Sequence, residues 1–288
     1  LQMKKIILPI LISAMFVANL VNSQGVCGTY DGYLQDEMKK YPEFYKSIEV
    51  KNIELEKKSK ELTQNISEKE SVVEKKIIPV VIHVIHNFGT ENITDSDVDY
   101  ALNQLNKNIN RQADNALSTP DVFAAVSGSA NIEFRLATID PTGNPTNGIV
   151  RIQSELTNVP EGRDIVKSLS YWNSYQYFNI WTLKSFADQD EGFLAGFAQF
   201  PDRGAMSTDG VVLISNAMSD VQSTTLTHEV GHWLGLRHIW GDAECGDDGV
   251  KDTPTQKYSN GVGDNPGPFP SPATFPYHVG VSLPASNN

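Results

Sequence analysis

Three histidines and one glutamate lie within eleven residues of the stretch THEVGHWLGLRHIWGD, residues 227–242. His228 and His232 are four apart in a segment of helical character, so a helix would bring both rings to one face, about one turn apart. Two imidazoles in that arrangement can bind one metal ion at about 2.0–2.1 Å. Glu229 would project beside the pair, where it can reach a water on the metal without ligating the metal itself. The spacing therefore predicts a metal site for hydrolysis.

Gly235 shows how a third histidine can join the pair. A longer helix would carry His238 away from the ion, but a glycine can adopt a positive φ and end the helix in a sharp turn. The chain then swings back, and His238 approaches from a new direction. Three neutral imidazoles leave a fourth position for water, as in catalytic zinc sites. The alternative, incidental histidines on an exposed helix, is disfavoured because half of the chain's 6 histidines fall in this segment.

The extended pattern H-E-x-x-H-x-x-G-x-x-H fixes five residues and is more specific than H-E-x-x-H alone. In this chain it follows FNIWTL, GFAQFPD and DGVVLISNAM and precedes CGDDGVKDTP. These stretches, within residues 77–254, resemble the metzincin zinc peptidases. Among the metzincins they resemble the pappalysin family in its bacterial, cytophagalysin-like branch.

The resemblance implies an α/β (α+β) zincin-like domain with a mixed, twisted sheet and an active-site helix. It implies a zinc-dependent endopeptidase that acts on a peptide or protein substrate. Glu229 would be the general base, and the zinc ligands would be His228, His232 and His238. An extended substrate would pair with the edge strand of the sheet, formed by Leu194, Ala195, Gly196, Phe197 and Ala198.

Cys27 begins the stretch CGTY, which resembles the pro-segment cysteine of some pappalysins. The likeness implies a latent-form zinc ligand, because a thiolate binds zinc well and could fill the open position until the segment is cleaved. The alternative is a disulfide with Cys245, the other of the chain's 2 cysteines, in an oxidising compartment.

An acidic cluster follows the histidine motif, and members of the family that the chain resembles bind calcium near this point. Ca²⁺ prefers six to eight oxygen ligands in flexible loops. We therefore expect a structural calcium site, with a solvated acidic loop as the alternative. Asp242 begins the cluster, and the predicted ligands are Asp247, Asp248, Asp252 and Thr253.

The N-terminus predicts export and processing. Two lysines precede the apolar run IILPILISAMFVANLV, and small residues follow, as in a secretory signal peptide. The run is shorter than the ~20 residues of a spanning helix, so we expect residues 1–23 to be cleaved rather than kept as a membrane anchor. Residues 24–76, rich in Lys and Glu, are predicted to be a removable pro-segment, or else a permanent N-terminal helix. Residues 77–288 form the predicted peptidase domain, secreted or periplasmic, with no stable membrane span.

The composition of the chain argues against one class of partner. The chain has 288 residues, enough for a sizeable core, and a formal net charge of -12. That charge argues against nucleic acid as a partner, because phosphate neutralisation needs clustered Lys and Arg. Nothing in the composition indicates an oligomeric state.

Apolar periodicity predicts the elements that must position the motif. We expect helices that begin after Thr94, near residues 164–172, and over 223–234. His83 and His86 are three apart on the first predicted strand, face opposite sides and are interpreted as structural. The predicted strands are residues 77–88, 131–140, 177–183, 192–201 and 209–218.

The chain departs from the metzincin pattern after His238. Metzincins have a methionine-containing turn beneath the zinc, and none of the 5 methionines of this chain follows His238. The Pro-rich stretch from about Gly263 also looks unlike the family's lower subdomain. We therefore expect a truncated lower subdomain. A weakly active or inactive remnant that binds zinc or peptides is the alternative function, and a hydrolase of non-peptide substrates is a third.

Overall fold

The computed structural model describes most of residues 75–250, together with short N-terminal pieces. The described ranges are 75–158 (except nine positions between 115 and 126), 164–186, 194–201, 203–241 and 248–250, with Thr253, the backbone of Val26–Cys27 and scattered residues between 39 and 61. Within these ranges the chain forms a mixed sheet with helices packed against it, which confirms the predicted α/β class. Among the described residues, no helix combines the length and the apolar character that crossing a bilayer requires.

The described part of the sheet has seven strands, in the order β1-β6-β7-β5-β2-β3, with β4 also paired to β2. In this part, β6 and β7 are antiparallel and the other strand pairs are parallel. The strands are β1 (Val26–Cys27), β2 (Lys76–His86), β3 (Ile132–Leu136), β4 (Ile149–Gln153), β5 (Phe178–Leu183), β6 (Leu194–Ala198) and β7 (Val211–Ile214).

Strand β2 is the centre of the sheet, as its β-branched apolar run predicts. It pairs with β5 along one side, while β3 and β4 share the other side, β3 at the start of β2 and β4 at its end. Pro79 lies opposite Arg135 near the start of β2. The short strand β4 was missed by the sequence analysis because only half-buried residues alternate there with exposed ones.

Helix α1 (Asp95–Ile109) packs against β3 and against the two later helices. Its N-terminus is a capping box, in which the Thr94 side chain accepts a hydrogen bond from the Asp97 amide and the Asp97 carboxylate accepts one from the Thr94 amide. Both bonds satisfy donors that a helix start leaves open. The predicted helix after Thr94 is confirmed, and its buried face consists of Val98, Ala101, Leu102 and Leu105.

Two elements differ from the prediction. The segment 209–218 is not one strand, because β7 ends at Ile214 and helix α2 (Asn216–Ser219) follows. The adjacent residues Ala217 and Met218 are both buried, which a helical turn permits and an alternating strand does not. The predicted helix near residues 164–172 is a short 3-10 helix, Ile165–Leu169. The active-site helix α3 (Thr225–Trp233) lies within its predicted limits.

His83 lies in the centre of the sheet, fully buried, with its ring stacked on Trp181 at 5.2 Å between centroids. Its Nε2–H donates to Oδ1 of Asn179 at 3.0 Å, and Nδ1 has no hydrogen-bond partner among the described residues. Burial lowers the pKa of His83 to about 4, and the bond to Asn179 opposes that shift. His86 is also buried, and its ring packs against Phe88.

We expect His83 to make the fold sensitive to mild acid. The unfolded chain takes up the proton near pH 6.5 and the folded chain only near pH 4. Its contribution to stability is therefore complete above pH 6.5 and is lost as the pH falls towards 4. The loss between pH 7 and pH 5 is about 2 kcal/mol. The variant His83→Phe keeps an aromatic ring on Trp181, does not titrate, and should lose about 2 kcal/mol less than the unaltered chain when denaturant unfolding is compared at the two pH values. Equal losses in both proteins would contradict this assignment.

Candidate metal centre

The structure brings the three histidines of the motif to one point. The Nε2 atoms of His228 and His232 are 3.0 Å apart, those of His232 and His238 are 3.2 Å apart, and those of His228 and His238 are 3.3 Å apart. Nitrogens bound to a common tetrahedral ion at 2.0–2.1 Å lie about 3.3 Å from one another. Among the described residues, these histidines form the group that could hold a metal.

The turn after α3 returns the chain towards the ion site, as Gly235 predicts. Gly235 has φ 97°, its amide donates to the His232 carbonyl at 2.8 Å, and the Leu236 amide donates to the Gly231 carbonyl at 2.9 Å. These two bonds define a Schellman motif with glycine in the left-handed conformation. Any other residue at Gly235 would be strained by its backbone. The turn thus ends the helix at Trp233, and Gly235 lies three residues before His238.

The same turn orients His232. Nδ1 of His232 lies 2.7 Å from the Leu236 carbonyl oxygen, which can only accept, so Nδ1 carries the proton and Nε2 has a free electron pair. A backbone carbonyl on the second ring nitrogen is a common support for a metal-binding histidine. Burial lowers the pKa of His232 to about 3, with smaller contributions from His228 and His238. The neutral ring is the form that binds a metal.

The other two rings differ in their surroundings. His238 is buried and stacks almost parallel on Trp240, with centroids 4.2 Å apart. His228 is exposed, so the histidine group can be reached from solvent. The ring of Phe200 packs against His232 at 5.3 Å. Aromatic rings therefore pack against His232 and His238, while solvent can reach the site at His228.

This donor set fits zinc. It consists of three imidazoles, which suit Zn²⁺, and the N···N separations match a tetrahedral ion with one position left for another ligand. No carboxylate belongs to the described histidine group. The charge of a bound divalent ion would therefore not be neutralised by this group, and the ion could polarise a bound water or carbonyl.

Glu229 is buried, with only 1% of its surface exposed, on the same helix as His228 and His232. Strand β6 packs against this helix at Gly196, where a Cβ atom would lie 2.5 Å from Cδ2 of Leu213, 3.0 Å from the Val212 carbonyl oxygen and 3.3 Å from Cγ of Glu229. A side chain at residue 196 would therefore clash first with Leu213 on β7 and would also press on Glu229. The absence of a side chain at Gly196 thus lets β6 lie beside the Glu229 side chain.

The strand predicted over residues 192–201 is β6, which lies next to β7 in the sheet. Its five residues are buried. The backbone of β1 pairs with it in parallel, with Val26 opposite Leu194 and Cys27 opposite Gly196. The sequence alone did not indicate that Cys27 lies on this strand.

The predicted calcium ligands lie only partly within the described residues. Asp248 is buried, and its Oδ1 accepts a hydrogen bond from the Val250 amide at 2.8 Å. The Thr253 amide donates to the Val250 carbonyl at 3.1 Å. Asp242, Asp247 and Asp252 lie outside the described residues, and so does Cys245.

One support of the site was missed from the sequence. The indole N–H of Trp233, the last residue of α3, donates to Oδ1 of Asp209 at 3.1 Å. Its ring also packs on Phe178 at 4.0 Å between centroids. These partners are distant in sequence and follow no motif, so only the fold reveals them.

Comparisons with known proteins agree with this geometry. The family model described as pregnancy-associated plasma protein-A, a peptidase family, matches residues 162–266. An extracellular metalloprotease of Arthroderma otae is 28% identical over 193 residues. The match covers 62% of this chain and spans 59% of the length of the fungal protein.

Solved structures match a larger share of this chain than the fungal protein does. Promirolysin of Tannerella forsythia, solved as a mutant, is 33% identical with a TM-score of 0.64, covering 82% of this chain and 78% of that chain. Mature mirolysin of the same organism, in complex with a cleaved peptide, is 38% identical with a TM-score of 0.59, covering 65% of this chain and 74% of that chain. The chain therefore belongs to the pappalysin family, that of pregnancy-associated plasma protein-A, and has the fold of its catalytic domains.

Proposed function

We propose that the chain is a zinc-dependent endopeptidase that works outside the cytoplasm. The observation that carries this proposal is the convergence of three imidazole Nε2 atoms, 3.0–3.3 Å apart, beside the buried Glu229. His228, His232 and His238 would hold the zinc. The fungal relative is named an extracellular metalloprotease, which supports both the activity and the location, as does the predicted signal peptide of residues 1–23.

The residues of this chain divide the chemistry of peptide hydrolysis. When bound, zinc supplies Lewis-acid activation of the attacking water and of the scissile carbonyl. Glu229 accepts the proton that the water loses as its oxygen attacks the carbonyl carbon. The carboxylic acid of Glu229 then donates that proton to the amine nitrogen as the C–N bond breaks. Its burial on the helix that carries two of the histidines restricts where its carboxylate can lie.

Strand β6 orients the substrate in this proposal. An extended peptide can add to a sheet edge through main-chain hydrogen bonds, and β6 becomes that edge, next to β7, when β1 is removed. Because Gly196 brings the strand close to Glu229, a peptide paired there lies next to the general base. Mature mirolysin was solved with a cleaved peptide, which supports a peptide as the substrate class.

Residues 24–76 act as a pro-segment in this proposal, with Cys27 as its inhibitory residue. Strand β1 pairs with β6, the strand assigned to the substrate, and the Cys27 backbone is opposite Gly196. A thiolate is a good zinc ligand and would fill the fourth position. The similarity to promirolysin, whose name marks it as a precursor form, supports a zymogen.

A structural calcium site is a second element of the proposal. Asp248 is the described acidic residue of the predicted ligand set, and it is buried next to a turn whose backbone bonds involve Val250 and Thr253. Carboxylate and carbonyl oxygens of such a loop are the ligands that Ca²⁺ prefers.

Replacing the general base should separate metal binding from catalysis. Glu229→Gln removes the proton acceptor and keeps the shape, so we expect one zinc per chain and a loss of peptide cleavage of at least about a hundredfold. His232→Ala should lose the stoichiometric zinc as well. Zinc content is measured by elemental analysis of the folded protein, and cleavage with a peptide library, with and without a chelator.

The unaltered chain is the control for both variants. Chelator-sensitive cleavage that returns with zinc supports the proposal. Stoichiometric zinc with no cleavage of any peptide would instead favour the inactive remnant, and unchanged cleavage by Glu229→Gln would contradict the role of the glutamate.

The latent form tests the role of Cys27. Cys27→Ala removes the thiolate, so we expect the precursor to gain activity after a shorter lag than the unaltered chain. Cys245→Ala is the matched control, because a Cys27–Cys245 disulfide would make the two variants behave alike. An unchanged lag in Cys27→Ala would rule out the inhibitory thiolate.

Calcium should stabilise the fold without being needed at the zinc site. Stripping the chain with a calcium-selective chelator should lower the melting temperature, and added Ca²⁺ but not Zn²⁺ should restore it. The variant Asp248→Asn should lose part of this response. A melting temperature that does not change on chelation would leave the acidic loop as a solvated surface.

A further inference from the structure

Lys167 is a buried cation that the proposed chemistry does not use. Only 2% of its side chain is exposed. Its Nζ donates to the Thr208 carbonyl oxygen at 2.6 Å and to Oδ1 of Asp164 at 2.7 Å. A buried charge is costly unless it is paired and hydrogen-bonded. Here the Asp164 carboxylate pairs with the ammonium and the Thr208 carbonyl accepts a hydrogen bond from it.

The Lys167 ammonium also faces two aromatic rings of the sheet. Its Nζ lies 5.5 Å from the ring centroid of Trp181 on β5 and 5.0 Å from that of Phe197 on β6. Cations within about 6 Å of an aromatic face are attracted by it. Lys167 therefore connects the 3-10 helix before β5 with the strand that lies beside Glu229.

The partners of Lys167 lead to the metal-binding helix. Thr208, whose carbonyl it binds, is followed by Asp209, whose carboxylate accepts the indole N–H of Trp233. Trp233 follows the ligand His232 directly and is the last residue of α3. A continuous series of contacts thus joins Lys167 to the end of the helix on which two imidazoles lie.

The electrostatic interaction between Lys167 and Asp209 supports the connection from Lys167 to the metal-binding helix. Burial raises the pKa of Asp209, and the Trp233 indole and the Lys167 cation oppose that shift. Burial lowers the pKa of Lys167, and Asp164 and Asp209 oppose it. Each group stabilises the charged form of the other, so removing the cation weakens the segment of residues 208–209 at both its carbonyl and its carboxylate.

We infer that Lys167 is a positioning residue, which acts through Thr208 and Asp209 on Trp233 and so holds His232 in the geometry that zinc requires. This inference rests on the proposed zinc site. Groups outside the ligand shell typically change metal affinity by 10–100-fold when they are removed. Lys167 lies further out, so we expect an effect at the lower end of that range.

Lys167→Met removes the ammonium and keeps an unbranched apolar side chain in the buried position. In the full chain, we expect its zinc affinity, measured by competition with a chelator, to fall about tenfold. We also expect the visible absorption bands of the cobalt-substituted protein to shift, because they report the ligand geometry. Neither measurement depends on peptide cleavage.

A double-mutant cycle tests the route. Trp233→Phe keeps an aromatic ring beside Phe178 and loses the donor to Asp209 together with part of the ring volume. If Lys167 acts through this bond, Lys167→Met should lower zinc affinity by less than about twofold in the Trp233→Phe background. A full tenfold fall in that background would overturn the route through Trp233.

Two further variants keep the test decisive. Asp209→Ala breaks the path at its centre and should reproduce the loss of affinity, so it tests the inference even if Lys167→Met fails to fold. Ile85→Ala, at the far end of β2, is the control for general loss of core packing. Zinc affinity and cobalt spectra that match this control in both Lys167→Met and Asp209→Ala would overturn the inference. An unaltered chain that binds no zinc at the histidines would overturn the proposed function itself.

Discussion

The metal site requires the protein to hold three imidazole nitrogens close together, although the electron pairs that they direct at one point repel each other. In the tautomer that metal binding requires, each Nε2 atom presents an unshared pair, and the three atoms lie 3.0–3.3 Å apart. A cation at the centre removes this repulsion, but the ring positions must be set by the fold. The fold supplies a helix for two rings and a glycine turn for the third, whose Leu236 carbonyl also fixes the proton of His232. The turn therefore performs two tasks with one set of backbone bonds.

The sheet determines where that helix can lie. Strand β7 (Val211–Ile214) leads to the short helix α2, and α3 then returns along the strand so that its last residue meets Asp209, just before β7 begins. The end of α3 is thus tied to the start of the strand beneath it, while Gly196 lets β6 approach the middle of the helix at Glu229. Both contacts need particular residues, since an indole donor is required at one place and the absence of a side chain at the other. The ligand geometry follows from these two anchors as well as from the motif.

The motif was predictable because its chemistry is local. Residues four apart on a helix and a glycine turn are short-range rules, and they correctly placed all three imidazoles. The long apolar strand β2 and the capped helix α1 were equally clear from periodicity and capping. The sequence does not predict strand β4, because that strand is half exposed. It predicts one strand over residues 209–218, because an apolar run does not reveal where a strand becomes a helical turn. Lys167, Asp209 and Trp233 could not be associated from sequence, because their contacts depend on how distant segments pack.

Strand β6 links the latent and active states of the proposed enzyme. The side of β6 that faces away from β7 is paired with the backbone of β1. An extended peptide would need the same side. A segment on the same chain competes with substrate at a high effective concentration, so even two residues of pairing can exclude a dilute peptide when a further bond holds the segment in place. The proposed thiolate of Cys27 would be that bond, opposite the residue that approaches Glu229. Cutting the chain in residues 24–76 would abolish the concentration advantage, so that β1 and Cys27 could leave the site and a peptide could take their place. Inhibition and activation then differ only in whether the competing strand is tethered, and the catalytic residues need not move between the two states.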